Sequence, residues 1–235
     1  SAAESQFSQA TIYENMNRIV SLIGYKPVGK QTSQSALAAT ATSALAPGNY
    51  TIRKYSYFLV DGMQYTFNQD YNFNKTIAGQ EVIDSIAEDV ILYQGTIGAY
   101  PVYVASGAEF EMLPIVVSNI VDNNDDRFVA ANTISVYVKE IASGAYVEYK
   151  EVDNLYLSDS TSRVYDLRLN ENGNYEIKFG NGVFGKKLRE GDEVAVYYIL
   201  SDNQKGLISK SAINGNKLFV YANQRFNTIY SDITT

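Results

Sequence analysis

The sequence predicts a mainly β chain, α+β only through one N-terminal amphipathic helix, with antiparallel sheets and hairpins. Three observations predict it. From Tyr50 onward, aromatic and β-branched residues crowd into short runs, several of them alternating with a period of two. Turn signals punctuate those runs, notably Asp61-Gly62 and Asn170-Glu171-Asn172-Gly173-Asn174. A 3.6-residue period is clear only ahead of Gly24.

Residues 4–23 read as the helix. Ile12, Met16, Ile19, Val20 and Ile23 share one face, while Glu14, Asn15, Asn17 and Arg18 face away. Gly24 supplies a C-terminal stop and Pro27 prevents a restart. The apolar face must dock on something, so Ile12, Met16, Ile19 and Ile23 are the candidate subunit interface. Residues 36–45 are in conflict. Their alanines favour helix, whereas Thr40, Thr42 and the small-residue alternation suit a strand.

Beyond Tyr50, two aromatic runs are broken at Asp61-Gly62. Residues 81–88 fit a short helix or a loop, and 89–94 and 99–105 read as strands separated by Gly95 and Gly98. Ile134, Val136 and Val138 alternate with Ser135, Tyr137 and Lys139, the pattern of a strand buried on one face. The clearest hairpin spans 163–179, with Tyr165, Leu167 and Leu169 opposite Tyr175, Ile177 and Phe179. Residues 193–200 are apolar on both faces, as in a fully covered strand, and 218–221 form a last short one. No linker or repeat separates these elements. Soft boundaries give a helical segment 1–30, a first β region 31–130 and a second β region 131–235.

Composition narrows the chemistry. The 235 residues include no Cys, His or Trp, but 20 Tyr and 10 Phe. Thiol chemistry, disulfides, imidazole metal ligands and His-based nucleophilic catalysis are excluded. No cofactor and no metal is expected. A hydrophobic content of 46% with 19% charge is that of a folded chain, and a chain of this mass buries roughly 70% of its surface. No apolar run approaches the ~20 residues of a membrane span, and Ser1–Gln9 lack the features of a secretory leader. Charge is uneven: residues 76–127 hold nine acids and only Arg127, while no Lys/Arg cluster offers a nucleic-acid surface. The acidic middle is either a solvated face or a patch that orients a basic partner.

Several motifs imitate chemistry. Gly180-Asn181-Gly182-Val183-Phe184-Gly185 spells G-x-G-x-x-G after a strand, but too few residues follow for the helix a dinucleotide needs. Gly180, Gly182, Gly185 and Gly191 are instead expected to serve backbone turns. Asp122, Asn124 and Asp126 occupy the first oxygen positions of a calcium loop, yet Arg127 and Thr133 stand where Gly and the bidentate Glu belong. Glu109/Glu111 and Asp125/Asp126 are carboxylate pairs of the kind glycosidases use, without spacing that singles them out. The Tyr excess fits half-buried strands and wet interfaces equally, with Tyr25, Tyr100, Tyr103, Tyr146 and Tyr149 as interface candidates.

The segment Tyr175-Glu176-Ile177-Lys178-Phe179-Gly180-Asn181-Gly182-Val183-Phe184-Gly185-Lys186 resembles the baseplate J family of contractile phage tails, and in particular the baseplate wedge proteins of T-even-type phages. A strand ending Phe-Gly-Asn-Gly, a later Gly191, the strand Val194-Ala195-Val196-Tyr197-Tyr198 and Lys205-Gly206 follow that pattern. So do Gly24-Tyr25-Lys26-Pro27, the Ala/Ser/Thr-rich segment 36–45, and an "ITIPxGTxF"-like stretch at 50–58. In that stretch, Arg53-Lys54-Tyr55 replaces the family's Pro-x-Gly. The resemblance runs in order over roughly residues 8–210.

It implies a strand at 36–45, fold glycines at 180, 182 and 185, and a baseplate J-like fold. It also implies a non-enzymatic wedge subunit of the virion, assembled in the host cytoplasm. Such a subunit would pack with copies of itself and with other wedge and hub proteins. Nucleic acid, membrane insertion and a small-molecule substrate are not expected. The wedge proteins are much longer than 235 residues, so this sequence is either a compact relative or a piece. The alternative is a carbohydrate- or receptor-binding β module of a tail fibre or surface protein. A third class, a carboxylate hydrolase, would depend on Glu109 or Glu111.

Overall fold

A computed structural model describes residues 30–32, 34–37, 40–41, 48–75, 90–122, 125–202, 218–219 and 233–234. The expected helix over 4–23 and the 81–88 stretch lie outside them. The described chain is mainly β. Its strands are β1 (Gln34–Leu37), β2 (Thr40–Ala41), β3 (Gly48–Ile52), β4 (Tyr57–Val60), β5 (Met63–Phe67), β6 (Tyr71–Lys75), β7 (Val90–Gln94), β8 (Thr96–Ala99) and β9 (Tyr103–Val104). They continue as β10 (Met112–Ile115), β11 (Phe128–Val129), β12 (Ser135–Lys139), β13 (Tyr146–Glu151), β14 (Val164–Leu169), β15 (Tyr175–Phe179), β16 (Glu193–Ser201), β17 (Leu218–Phe219) and β18 (Ile233–Thr234). Single 3-10 turns occur at Val117–Asn119 and Leu155–Leu157.

Two units share the chain. The first comprises Ala99–Asp125 and Ile134–Tyr197, together with Ser1–Gln31, of which only Lys30 and Gln31 are described. Its sheet runs β10-β15-β14-β13-β12-β16. The β14–β15 hairpin aligns Tyr165 with Phe179, Leu167 with Ile177 and Leu169 with Tyr175. Pairing equals on one face is what the alternating pattern dictates, because a slip of one residue would turn every apolar side chain outward. Val136, Val138, Ile177, Phe179 and Val194 are fully buried.

The expectation of one buried face on 134–139 is overturned, since Ser135 and Tyr137 are also buried. Tyr137 meets the Tyr197 ring edge-on at 5.9 Å; Tyr197 stands opposite Ser135 on the adjacent strand β16, so rings packed side by side across the strands shield the face that the polar letters assigned to solvent. At the sheet's edge, Leu113 and Ile115 align with Ile177 and Tyr175. Pro114 lies between them. Having no N–H, it removes a donor from a strand that, among the described residues, has β15 as its one sheet neighbour, which blunts strand addition there.

The second unit comprises Thr32–Gly98, Asp126–Thr133 and Tyr198–Thr235. Its sheet runs β1-β7-β5-β4-β17, with β3 paired to β6 and β2 to β18. Residues 36–37 and 40–41 are extended, which settles those parts of the helix–strand conflict in favour of strand. The β4–β5 hairpin turns at Asp61 (φ 49°) and Gly62 (φ 81°), two left-handed residues that match strand twist. Phe58, Phe67, Tyr71, Leu92 and Ile52 form its core, with Phe67 5.7 Å from Phe58 and 5.6 Å from Tyr71.

Of the strand expected over 99–105, only Ala99, at the end of β8, and Tyr103–Val104, as β9, are in strands. Pro101 between them cannot donate to a ladder, and Gly98, expected as a break, lies inside β8, where a Cβ would stand 2.6 Å from Tyr198 Cζ.

Tyr55 stands where the resembled segment has Gly, and it keeps a left-handed φ of 70°. Three contacts hold it there. Its N–H donates to Phe67 O at 2.8 Å, its ring is fully buried, and the Lys54 N–H donates to Asp70 Oδ1 at 2.7 Å. Tyr55→Gly should therefore release strain worth about 1–2 kcal/mol while losing a buried ring worth about 3–5 kcal/mol. The expected net loss is about 2 kcal/mol by urea unfolding. A more stable variant would show that the backbone, rather than the ring, dominates this site.

Candidate functional site

Three loops of the first unit meet at one end of its sheet: 109–111 before β10, 153–163 between β13 and β14, and 180–187 after β15. The last is the glycine loop, and Asn181 organises it. Its Oδ1 accepts the Val183 and Phe184 N–H groups at 3.0 and 2.8 Å, while Gly182 N–H donates to Gly185 O at 3.0 Å. Gly185 N–H reaches Asp159 O at 3.1 Å and Lys186 N–H reaches Ser162 O at 2.8 Å, which ties the loop to its neighbour.

Gly182, Gly185 and Gly191 have φ of 88°, 74° and 86°. Gly180 packs so closely that a Cβ would overlap the Gly185 carbonyl and stand 2.5 Å from Phe184 O. The N–H groups that a phosphate cradle would direct at its ligand are spent inside the protein, and β16 follows at Glu193.

Asp159 secures the middle loop, accepting from the Thr161 N–H and hydroxyl and from the Ser162 N–H at 2.7–3.0 Å. The Thr161 side-chain and backbone bonds, then those from Ser162, hold its pKa down to about 2. Beneath the loops Glu140 is buried. It accepts from Arg163 Nε at 2.7 Å, Arg163 Nη2 at 3.2 Å, Lys186 Nζ at 2.7 Å and the Tyr149 hydroxyl at 3.4 Å. The Arg163 bonds outweigh burial and, with Lys186, lower its pKa to about 2. Burial first, then the Glu140 charge, pushes the Tyr149 hydroxyl well above its ordinary range. One carboxylate thus joins two loops to the sheet.

What these loops present is apolar and aromatic. Tyr156 lies 5.2 Å edge-on from Phe184 and 5.9 Å from Phe110, and Lys178 Nζ sits 4.5 Å from the Phe110 centroid. Leu157 is 86% exposed, Val183 61% and Tyr156 55%. Tyr156 and Leu157 project because Asn154 caps their short turn: its Oδ1 accepts the Tyr156 N–H at 3.0 Å, and Leu155 turns inward. Exposed large apolar groups gathered on a fixed frame mark a surface built for contact.

The residues nominated by sequence are placed as follows. Glu111 is buried and fully committed: it accepts from the Tyr103 hydroxyl at 2.6 Å, Ser106 N–H at 2.6 Å and Gly107 N–H at 3.1 Å. Burial raises its pKa, but the bonds from Tyr103, Ser106 and Gly107 together leave it lowered, and Tyr103 is pushed up to about 12 chiefly by its bond to Glu111. Such a carboxylate holds the 105–110 loop rather than a substrate, and Glu109 beside it is exposed. Thr133, the would-be calcium position, is buried with its hydroxyl donated to Ala130 O at 2.7 Å.

Tyr149 is a core residue, 2% exposed, so the reading of it as an interface side chain is corrected. The Val136 it pairs with brings it under the sheet. Tyr100, Tyr103 and Tyr146 are half-buried, bonded respectively to Val116 N–H, Glu111 and Glu193. Ile12, Met16, Ile19, Ile23 and Tyr25 lie outside the described residues. Sequence reasoning missed Phe110, Tyr156, Leu157, Val183 and Phe184; the only signal was Leu155-Tyr156-Leu157, an apolar triple with no alternation set among polar residues.

No protein-family model matches the chain. Among curated proteins it is similar to the "Baseplate wedge protein gp6" of Enterobacteria phage T4, 27% identical over 205 residues. The similarity covers 82% of this chain and 28% of that protein, so the chain spans under a third of the relative's length.

Proposed function

We propose that the chain is a structural part of a contractile phage tail baseplate. As a wedge subunit, it packs with copies of itself and with other wedge and hub proteins, and it exchanges interfaces when the tail fires. The observation that carries this reading is the similarity to a wedge protein over 205 residues. The site adds physical support. Its buried carboxylates, Glu111 and Glu140, are bound into loop frameworks, and the frame they hold presents aromatic contact area. That suits a load-carrying part. In this reading Ile12, Met16, Ile19 and Ile23 form a second contact, where each buried side chain contributes about 1.5–3 kcal/mol.

Mass photometry of the chain with and without co-expressed tail proteins tests the reading. A discrete larger assembly is expected in their presence, and Met16→Asp with Ile19→Asp should abolish it. A chain that never joins them overturns the wedge role.

A further inference from the structure

We infer that Asn172-Gly173, at the tip of the β14–β15 hairpin, is a site of spontaneous covalent modification, where the folded chain converts its own asparagine to aspartate and isoaspartate. This chemistry is independent of the baseplate role. The Gly173 backbone nitrogen gives its proton to solvent and attacks Cγ of the Asn172 carboxamide. A new C–N bond closes a five-membered succinimide, and the carboxamide nitrogen takes up a proton and leaves as ammonia. Water then opens the ring at one or the other carbonyl, giving aspartate or isoaspartate. The tether makes ring closure unimolecular, and glycine, having no Cβ, leaves the attacking nitrogen unobstructed.

The sequence has three Asn-Gly pairs, Asn172-Gly173, Asn181-Gly182 and Asn214-Gly215, the last outside the described residues. The fold separates the other two. Their glycines are alike: φ is 76° at Gly173 and 88° at Gly182, and each N–H donates at 3.0 Å, to Asn170 O and Gly185 O respectively. The carboxamides differ. Asn181 is half-buried and its Oδ1 accepts the Val183 and Phe184 N–H groups, so it turns toward Gly182 only if the loop opens. Asn172 is exposed, and among the described residues its carboxamide makes no hydrogen bond; its backbone N–H alone is used, donating to Asn170 Oδ1 at 3.0 Å. A Cβ added at Gly173 would meet nothing within 4 Å, so the space around the attack is open. Two ordinary hydrogen bonds, at about a factor of five each, should make Asn172 react about thirtyfold faster than Asn181.

The change should carry beyond the turn. Asn170 Oδ1 also accepts the Asn174 N–H at 3.0 Å, and Asn174 Oδ1 accepts the Val117 N–H at 2.9 Å. Isoaspartate inserts a methylene carbon into this closed backbone turn, which pulls Asn174 away from the 3-10 turn at Val117–Asn119.

Peptide mapping of the whole folded chain, incubated at mildly alkaline pH, tests this. Trypsin places the two pairs on separate peptides, 169–178 and 179–186. Peptide 169–178 should convert about thirtyfold faster than 179–186 in the folded chain, and at the same rate in concentrated urea, where the fold no longer protects Asn181. Hydrogen exchange at the Val117 amide should speed up in step with the conversion. Asn172→Gln, whose longer side chain would need a slower six-membered closure, should leave peptide 169–178 unconverted and Val117 protected. Equal rates for the two peptides in the folded chain, or an Asn172 that reacts only in urea, would overturn the inference. Conversion of Asn172 with Val117 as protected as before would overturn its reach to the 3-10 turn.

Discussion

Glu140→Gln should cost about 3 kcal/mol of stability at neutral pH, as breaking a buried ion pair does. The estimate sits at the low end of that range because Arg163 and Lys186 remain 44% and 26% exposed and can recover water. The variant should also lose the share of acid sensitivity that Glu140 contributes. In the folded chain Glu140 titrates near 2, against an ordinary value of 4.5. A depressed folded pKa contributes stability that is fully present above the unfolded value and lost as pH falls through the folded one. The window is therefore from about pH 4.5 down to about 2, and the contribution is on the order of 2–3 kcal/mol. Asp159 and Glu111 are also lowered and give both proteins an acid limb, so the difference between wild type and variant isolates Glu140. Urea midpoints should differ widely at pH 7 and converge near pH 2. A gap of equal size at both pH values would mean that the carboxylate acts by shape and not by charge.

How much of this was legible depended on the range of the interaction concerned. The β14–β15 hairpin was readable because its register, Leu167 with Ile177, is fixed by alternation on both sides of one turn. Asp61-Gly62 was readable for the same local reason, a residue pair suited to positive φ. Tyr137 was not, because its cover comes from Tyr197 on a strand sixty residues away, and a polar letter is silent about that. Gly98 looked like a break and proved a place for the Tyr198 ring. Tyr149 looked like a wet-edged interface residue, yet its hydroxyl points at Glu140 inside the fold.

The contact face was the hardest part to read. Its rings come from three loops, and the carboxylate beneath them pairs with residues 23 and 46 positions along the chain. Local patterning shows that such loops exist, but topology decides which of them meet. The glycines occupy a middle case. Their spelling suggested a nucleotide site, the missing helix argued against it, and the folded loop shows Asn181 satisfying the Val183 and Phe184 N–H groups from within.

Gly180→Ala is expected to be the most damaging single substitution in the first unit, by about 3–5 kcal/mol. Overpacking ordinarily costs about 1–3 kcal/mol because side chains can turn aside. Here the new methyl would meet the Gly185 carbonyl and Phe184 O, which are backbone atoms held by the Gly182–Gly185 hydrogen bond. Relief requires opening the loop. Opening it pulls Gly185 from Asp159 O and Lys186 from Ser162 O, and it withdraws Lys186 Nζ from Glu140. The damage should therefore spread to the middle loop and to Tyr156, which rests on Phe184.

Gly182→Ala provides the control. Its φ of 88° strains any side chain, but the added Cβ would meet only Lys187 Cβ at 3.5 Å, an ordinary contact. It should cost about 1 kcal/mol and leave the middle loop in place. Hydrogen exchange distinguishes the two cases. Gly180→Ala should expose the Gly185 and Lys186 amides and those of Thr161 and Ser162, whereas Gly182→Ala should leave them protected. If both variants lose the same stability and the same amides, backbone conformation rather than close approach is what this loop demands of its glycines.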